Sequence, residues 1–132
     1  GILRIKLKYL NEWNEARRRN AKIYDRLFKD IEEVTEVPEP PWSTSVYHLY
    51  VIKLKNRDKV QKILTEKGIG TALHYPVPLH LQNAYKHLGY KEGDFPIAEK
   101  HAKEILSLPM FPELTEEQIV YVVDSIKECV KP

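Results

Sequence analysis

Apolar residues recur at steps of three and four along the opening of the chain: Leu3, Leu7, Leu10, Trp13, Ala16, Tyr24, Leu27 and Ile31. This period predicts one amphipathic helix over residues 2 to about 30. At 1.5 Å per residue, such a helix is about 40 Å long, more than a small domain can cover, so its first half is expected to pack on something else. Arg17, Arg18 and Arg19 fall on its polar side and read as a solvated face. Gly1-Ile2-Leu3 enters the helix with no Ser, Thr, Asp or Asn in front of it, as expected of a piece of something longer.

The pattern then changes. Val37-Pro38-Glu39-Pro40-Pro41 is a stiff connector, because each proline fixes φ and removes a donor. Ser45 to Leu54 alternates Val46, His48, Tyr50 and Ile52 with Tyr47, Leu49, Val51 and Lys53, which predicts a central strand with His48 as a satisfied core histidine. A helix from Arg57 to Lys67 follows, capped by Asn56, turned inward at Val60, Ile63 and Leu64, and stopped by Gly68. Ile69 to Tyr75 reads as a second strand, Leu81 to Leu88 as a short helix ended by Gly89, and Tyr90 to Asp94 as a turn around Gly93. Pro96 suits the first turn of a helix reaching Ile105, and Leu106 to Pro109 is a short strand. Thr115-Glu116-Glu117-Gln118 has the capping-box spacing, flanked by Leu114 and Ile119 at the staple positions, and predicts a last helix to Val130. The sum is an α+β domain: about three strands in a small sheet covered by helices.

Composition narrows the function only by exclusion. The 132 residues are one domain's worth of chain, and a net charge of +2 gives no electrostatic case for nucleic acid or an anionic membrane. No stretch is long and apolar enough to span a bilayer. Cys129 is the sole cysteine, so no internal disulfide can form, and a reducing cytoplasmic setting is expected. On the last helix Cys129 reads as a small buried hydrophobe.

The candidate chemistry gathers where the second strand meets a rigid segment, in Thr71-Ala72-Leu73-His74-Tyr75-Pro76-Val77-Pro78-Leu79-His80-Leu81-Gln82. Pro76 and Pro78 restrict their own φ and bias Tyr75 and Val77 towards extended geometry, so the imidazoles and phenol beside them have little freedom. His74, His80 and His87 are six and seven residues apart, not the i, i+4 step that aligns two ligands on one helix face, so no metal site is expected. There is no Gly-x-Ser-x-Gly elbow, and the glycines are scattered singly rather than gathered into a phosphate loop.

The run GIGTALHYPVPLHLQNAYKHLGY, followed by GDFPIAE, LSLPMFP and LTEEQI in that order and spacing, resembles the C-terminal region of the DegT-type sugar aminotransferases. The opening ILRIKLKYLNEWNEARRRNAKIY resembles the helix that leads into that region, so the likeness covers essentially the whole chain. It implies the C-terminal domain of a fold-type-I enzyme dependent on pyridoxal 5'-phosphate (PLP). Residues 1–30 would be a linking helix from a large domain, and residues 31–132 the small α+β domain. The parent enzyme would be a homodimer that transfers an amino group from an amino-acid donor to a nucleotide-linked keto-sugar, in amino-sugar and surface-polysaccharide biosynthesis. The aldimine lysine and the rest of the PLP seat would lie in the large domain, because none of the lysines here matches the family's lysine motif. No catalytic or cofactor-binding residue is therefore expected in this chain, no PLP is expected bound to it alone, and alone it should be inactive. The likeness makes His74, Tyr75 and His80 substrate-binding residues on one wall of the cleft.

Imidazole and phenol donors suit phosphate oxygens and sugar hydroxyls, and proline rigidity lowers the entropy cost of holding them. Two other readings stand beside this one. PLP-dependent sugar dehydratases of the same family carry a histidine in place of the lysine, at a position outside these residues. A stand-alone α+β binding module is the other, and it should not expose the stripe around Leu3, Leu7 and Leu10.

Overall fold

The computed structural model describes residues 1–130. The 31–132 reading ends on residues 131–132, which lie outside the described ones.

The long opening helix is present with one irregularity: α1 (Ile2–Lys6) passes through a 3-10 turn at Leu7–Tyr9 into α2 (Leu10–Phe28). The first ten residues are exposed throughout, whereas Ala16, Asn20, Ala21, Tyr24 and Phe28 are buried. Only the second half of the helix therefore belongs to the core. Arg18 is not simply solvated: its Nε donates to the Ser45 carbonyl at 2.9 Å and ties α2 to the loop opposite.

The sheet has three antiparallel strands in the order β1 (Thr35–Glu36), β2 (Tyr50–Lys53), β3 (Ile105–Leu108). The strand expected over Ser45 to Leu54 is shortened to its last part. Ser45 Oγ accepts the Tyr47 amide at 3.1 Å, its own amide donates to the Glu39 carboxylate, and Tyr47 sits at φ +46°. Local side-chain bonds thus satisfy a backbone that would otherwise have paired. His48, expected in the core, lies before the strand begins and is exposed. The second expected strand, Ile69 to Tyr75, is reduced to a single bridge, Ala72 to Ser107, with reciprocal amide–carbonyl bonds of 3.1 and 2.9 Å. Pro76 and Pro78 have no amide to extend it. The third strand of the sheet is instead β1, two residues too short to show a period.

α3 (Arg57–Glu66) begins as expected, although Asn56 makes no side-chain cap bond. It ends in a Schellman motif. The Ile69 amide reaches the Leu64 carbonyl at 2.8 Å, the Gly68 amide reaches Thr65 at 3.0 Å, and Gly68 takes φ +76°. Residues 79–88 form 3-10 turns, Leu79–Leu81 and Asn83–Leu88, rather than an α-helix. α4 (Pro96–Glu104) runs directly into β3. α5 (Glu116–Val130) starts at the capping box: the Gln118 amide donates to Thr115 Oγ1 at 3.3 Å, and the Thr115 amide to Gln118 Oε1 at 3.0 Å.

One face of the sheet carries the core. Tyr50, Ile52, Leu106 and Leu108 pack with Tyr24 and Phe28 of α2, Val60 and Leu64 of α3, and Ile119, Val123 and Ile126 of α5. In the register, Val51 faces Ser107 and Lys53 faces Ile105, so these four residues share the opposite face. Several clefts of the molecule open on that side.

Candidate functional site

His74 is placed by the bridge two residues before it. With Ala72 paired to β3, the His74 imidazole meets the buried Ser107, Nδ1 to Oγ at 2.9 Å. The Tyr75 ring stands edge-on to it, centroids 5.5 Å apart, and the peptide between the two residues is cis. Tyr75 is 69% exposed and His74 half-buried, so neither is sealed in the interior.

His80 is directed differently. Its Nε2 lies 2.9 Å from Glu99 Oε1, and its ring packs on Phe95 at 4.8 Å. The same carboxylate accepts the Gly93 amide at 2.9 and 3.0 Å and the Phe95 amide at 3.3 Å. Burial by itself would raise the Glu99 carboxyl, but the His80 bond and the two backbone amides outweigh it and hold it below the usual range. Glu99 is therefore an ionised acceptor, and Nε2 of His80 carries the proton between them.

Two hollows open on the second sheet face, beside a third of about 720 Å³ lined by Lys53, Lys55, Lys59, Lys100 and His101, among others. One, of about 580 Å³, is lined by Asp25, Glu36, Glu39, Tyr47, His74 and His101, among others. The other, of about 420 Å³, is mostly apolar and is lined by Tyr75, Pro78, His80, Phe95, His101 and Ile105, among others. In the first, Tyr47 is pushed up to about 12, by burial and then by its bond to Glu39 and the nearby carboxylates. Tyr50 is raised further, by burial and by its 2.7 Å bond to Asp25. Both phenols stay protonated at neutral pH and serve as donors. Glu36 is raised by its own burial and by Asp25, and its Oε1 is buried with no hydrogen-bond partner among the described residues.

The structure thus brings His74 and Tyr75 to one surface and turns His80 inward as a brace. His87 is remote from this set, its Nδ1 held by the Ala84 carbonyl at 3.1 Å. Among the described residues, no group of three or more His, Cys, Asp or Glu converges as a metal site would. The residues around His74 and Tyr75 do not by themselves make a seat for PLP: no described lysine is buried, and the four that line the third hollow are absent from the two beside His74 and Tyr75. Cys129 is only half-buried and donates to the Ser125 carbonyl at 3.0 Å.

Sequence reasoning missed Ser107, Glu99 and His101. Glu99 lies in GDFPIAE and could have been found by its i, i+4 step from Phe95. Nothing in the sequence marks Ser107 or His101, whose places depend on strand register and on how α4 enters β3.

This fold is found as a segment of solved aminotransferases of the DegT/DnrJ/EryC1/StrS type. Superposed on the crystal structure of S. venezuelae DesV in complex with a ketimine intermediate, the chain gives a TM-score of 0.94 at 34% identity, covering 99% of this chain and 36% of that one. It is 49% identical over 130 residues to a pleiotropic regulatory protein of Geobacillus stearothermophilus, covering 97% of this chain and 35% of that protein. It is 35% identical over 128 residues to the dTDP-3-amino-3,4,6-trideoxy-alpha-D-glucose transaminase of Streptomyces venezuelae, covering 97% and 34% respectively. The profile of the DegT/DnrJ/EryC1/StrS aminotransferase family matches residues 1–127, and the chain belongs to that family. It spans about a third of the length of the relatives it matches. The family implies PLP in the intact enzyme.

Proposed function

We propose that this chain is the C-terminal domain of a PLP-dependent aminotransferase acting on nucleotide-linked keto-sugars in amino-sugar and surface-polysaccharide biosynthesis, and that it supplies one wall of the substrate cleft. The end-to-end superposition on DesV carries this reading. When bound, PLP supplies the electron sink for amino transfer; in this reading its lysine comes from the part of the protein before Gly1. The residues here bind and orient. His74, fixed on Ser107, and Tyr75 present donors to the ligand, while His80 and Glu99 hold the Pro-x-Pro segment in place.

α1 and the exposed start of α2 form the link to the large domain, and the buried second half of α2 packs with residues 31–132 in the small domain. The apolar stripe supports this: Ile2, Leu3, Ile5 and Leu7 are each more than 60% exposed, a face that is costly to leave in water. The enzyme works in the cytoplasm as a homodimer. Among the described residues, no helix is long and apolar enough to cross a membrane.

The test is amino transfer by the full-length protein from an amino acid such as glutamate to a nucleotide-linked keto-sugar. His74→Ala, Tyr75→Ala and His80→Ala should each lower kcat/KM. Unchanged kinetics in all three would leave the segment only a packing role. Borohydride reduction of this chain with PLP should label no lysine stoichiometrically; a stoichiometric adduct at one lysine would sink the assignment of the reactive amine to the rest of the protein.

A further inference from the structure

His74 Nδ1 and Ser107 Oγ lie 2.9 Å apart, so a single proton sits between them. Which atom carries it follows from the surroundings of Ser107. The residue lies in β3, only 4% exposed, with its amide and its carbonyl both bonded to Ala72. Its hydroxyl carries one proton and needs one acceptor. Burial closes it to solvent. Thr71 Oγ1, beside the bridge, is buried with no partner among the described residues, so it does not take that proton. The acceptor at hydrogen-bond distance is Nδ1 of His74. A buried hydroxyl left without an acceptor is costly, so the Ser107 O–H donates and Nδ1 accepts.

A neutral imidazole has one N–H. With Nδ1 accepting, that proton is on Nε2. Nε2 makes no hydrogen bond among the described residues, and His74 lines the hollow of about 580 Å³. The phenols around that hollow are already committed, Tyr47 to Glu39 and Tyr50 to Asp25. The His74 N–H is thus a donor still free for a ligand. It has no lone pair to offer, so the ligand atom opposite it must be an acceptor oxygen.

We propose that Ser107 is a positioning residue: its hydroxyl fixes His74 as the Nε2–H tautomer, which donates a hydrogen bond to an acceptor oxygen of the nucleotide-sugar. The ligand rests on the nucleotide-sugar reading above, whereas the tautomer rests on the buried Ser107 contact by itself.

The test has two readouts, both on the full-length protein. The first is nitrogen NMR of isotope-labelled histidine, at a pH where the ring is uncharged, with His74 assigned by its loss in His74→Ala. Nδ1 should be the bare nitrogen and Nε2 the protonated one. Ser107→Thr, which keeps the hydroxyl, should preserve this signature, and Ser107→Ala should shift the Nδ1 signal. A protonated Nδ1 in the wild type would overturn the inference.

The second readout is amino transfer. Ser107→Ala should lower kcat/KM about three- to tenfold, the worth of one hydrogen bond, and Ser107→Thr should recover most of it. In a His74→Ala background, Ser107→Ala should change kcat/KM less than about twofold. A loss of equal size in both backgrounds would mean that Ser107 acts through packing alone, and would overturn the inference. Should Ser107→Ala fail to fold, the wild-type and Ser107→Thr spectra decide the tautomer. A wild type that shows the Nε2–H tautomer but transfers no amino group to a nucleotide-linked keto-sugar would overturn the substrate reading and the ligand named here, while upholding the part of Ser107.

Discussion

His80 Nε2 and Glu99 Oε1 lie 2.9 Å apart, with the two side chains only 8% and 10% exposed. This contact fastens the end of the Pro-x-Pro segment to the first turn of α4. Glu99 also takes the Gly93 and Phe95 amides, so one carboxylate organises the whole connection from residue 80 to residue 99. Buried, ionised and held by several donors, it is harder to lose than an exposed ion pair.

Glu99→Ala is expected to lower the melting temperature of the chain clearly more than Glu99→Gln, which keeps an acceptor oxygen. The pH dependence has a defined sign. The Glu99 carboxyl is held below its ordinary value of 4.5, so its stabilisation is complete above that value and is lost as pH falls through the lower, folded-state value. Asp94, depressed by its bonds from Lys91, acts in the same direction. Thermal melts of wild type and Glu99→Gln between neutral pH and acid should therefore converge as the pH drops. A gap that stays constant would show that the charge of Glu99 contributes nothing.

Gly68→Ala should destabilise by about 1–2 kcal/mol, read from urea midpoints. A Cβ at this position meets no atom within 4 Å, so the cost is the left-handed backbone alone. A neutral substitution would mean that the Schellman turn relaxes freely.

Thr115→Ala should cost about 1 kcal/mol, and so should Gln118→Ala. The two bonds of the box are reciprocal, so the double variant should cost less than the sum. Strict additivity would show that the two bonds form independently.

Leu106→Ala should cost about 2–5 kcal/mol, because Leu106 is fully buried in the middle of β3 and its removal leaves a cavity under α3 and α5. A loss under about 1 kcal/mol would mean that the core collapses to fill the space.

Much of this was legible in the chain. Thr115 and Gln118 act within four residues of each other, and Gly68 follows directly on the helix it stops, so local chemistry alone specified both. The periods of α2 and α5 revealed which faces are buried, because a helix satisfies its own backbone and needs only a partner for its stripe. The His74–Tyr75 segment stood out because prolines restrict their neighbours wherever they occur.

Strands were read less well. A strand exists only where another strand meets it. Ser45 to Leu49 has strand-forming residues but is held away by Ser45, Glu39 and Arg18, while Thr35–Glu36 has no strand period and pairs all the same. The sequence by itself determined α2 to α5, the stop at Gly68, the capping box at Thr115 and the rigid Pro-x-Pro wall, since these depend on residues a few positions apart, whereas the Asn56 cap bond and the α-helix expected over Leu81 to Leu88 did not form. Only the tertiary structure decided that Ser107 orients His74 and that Glu99 holds His80. Those relationships span 33 and 19 residues and are set by sheet register and helix packing, which no short pattern encodes.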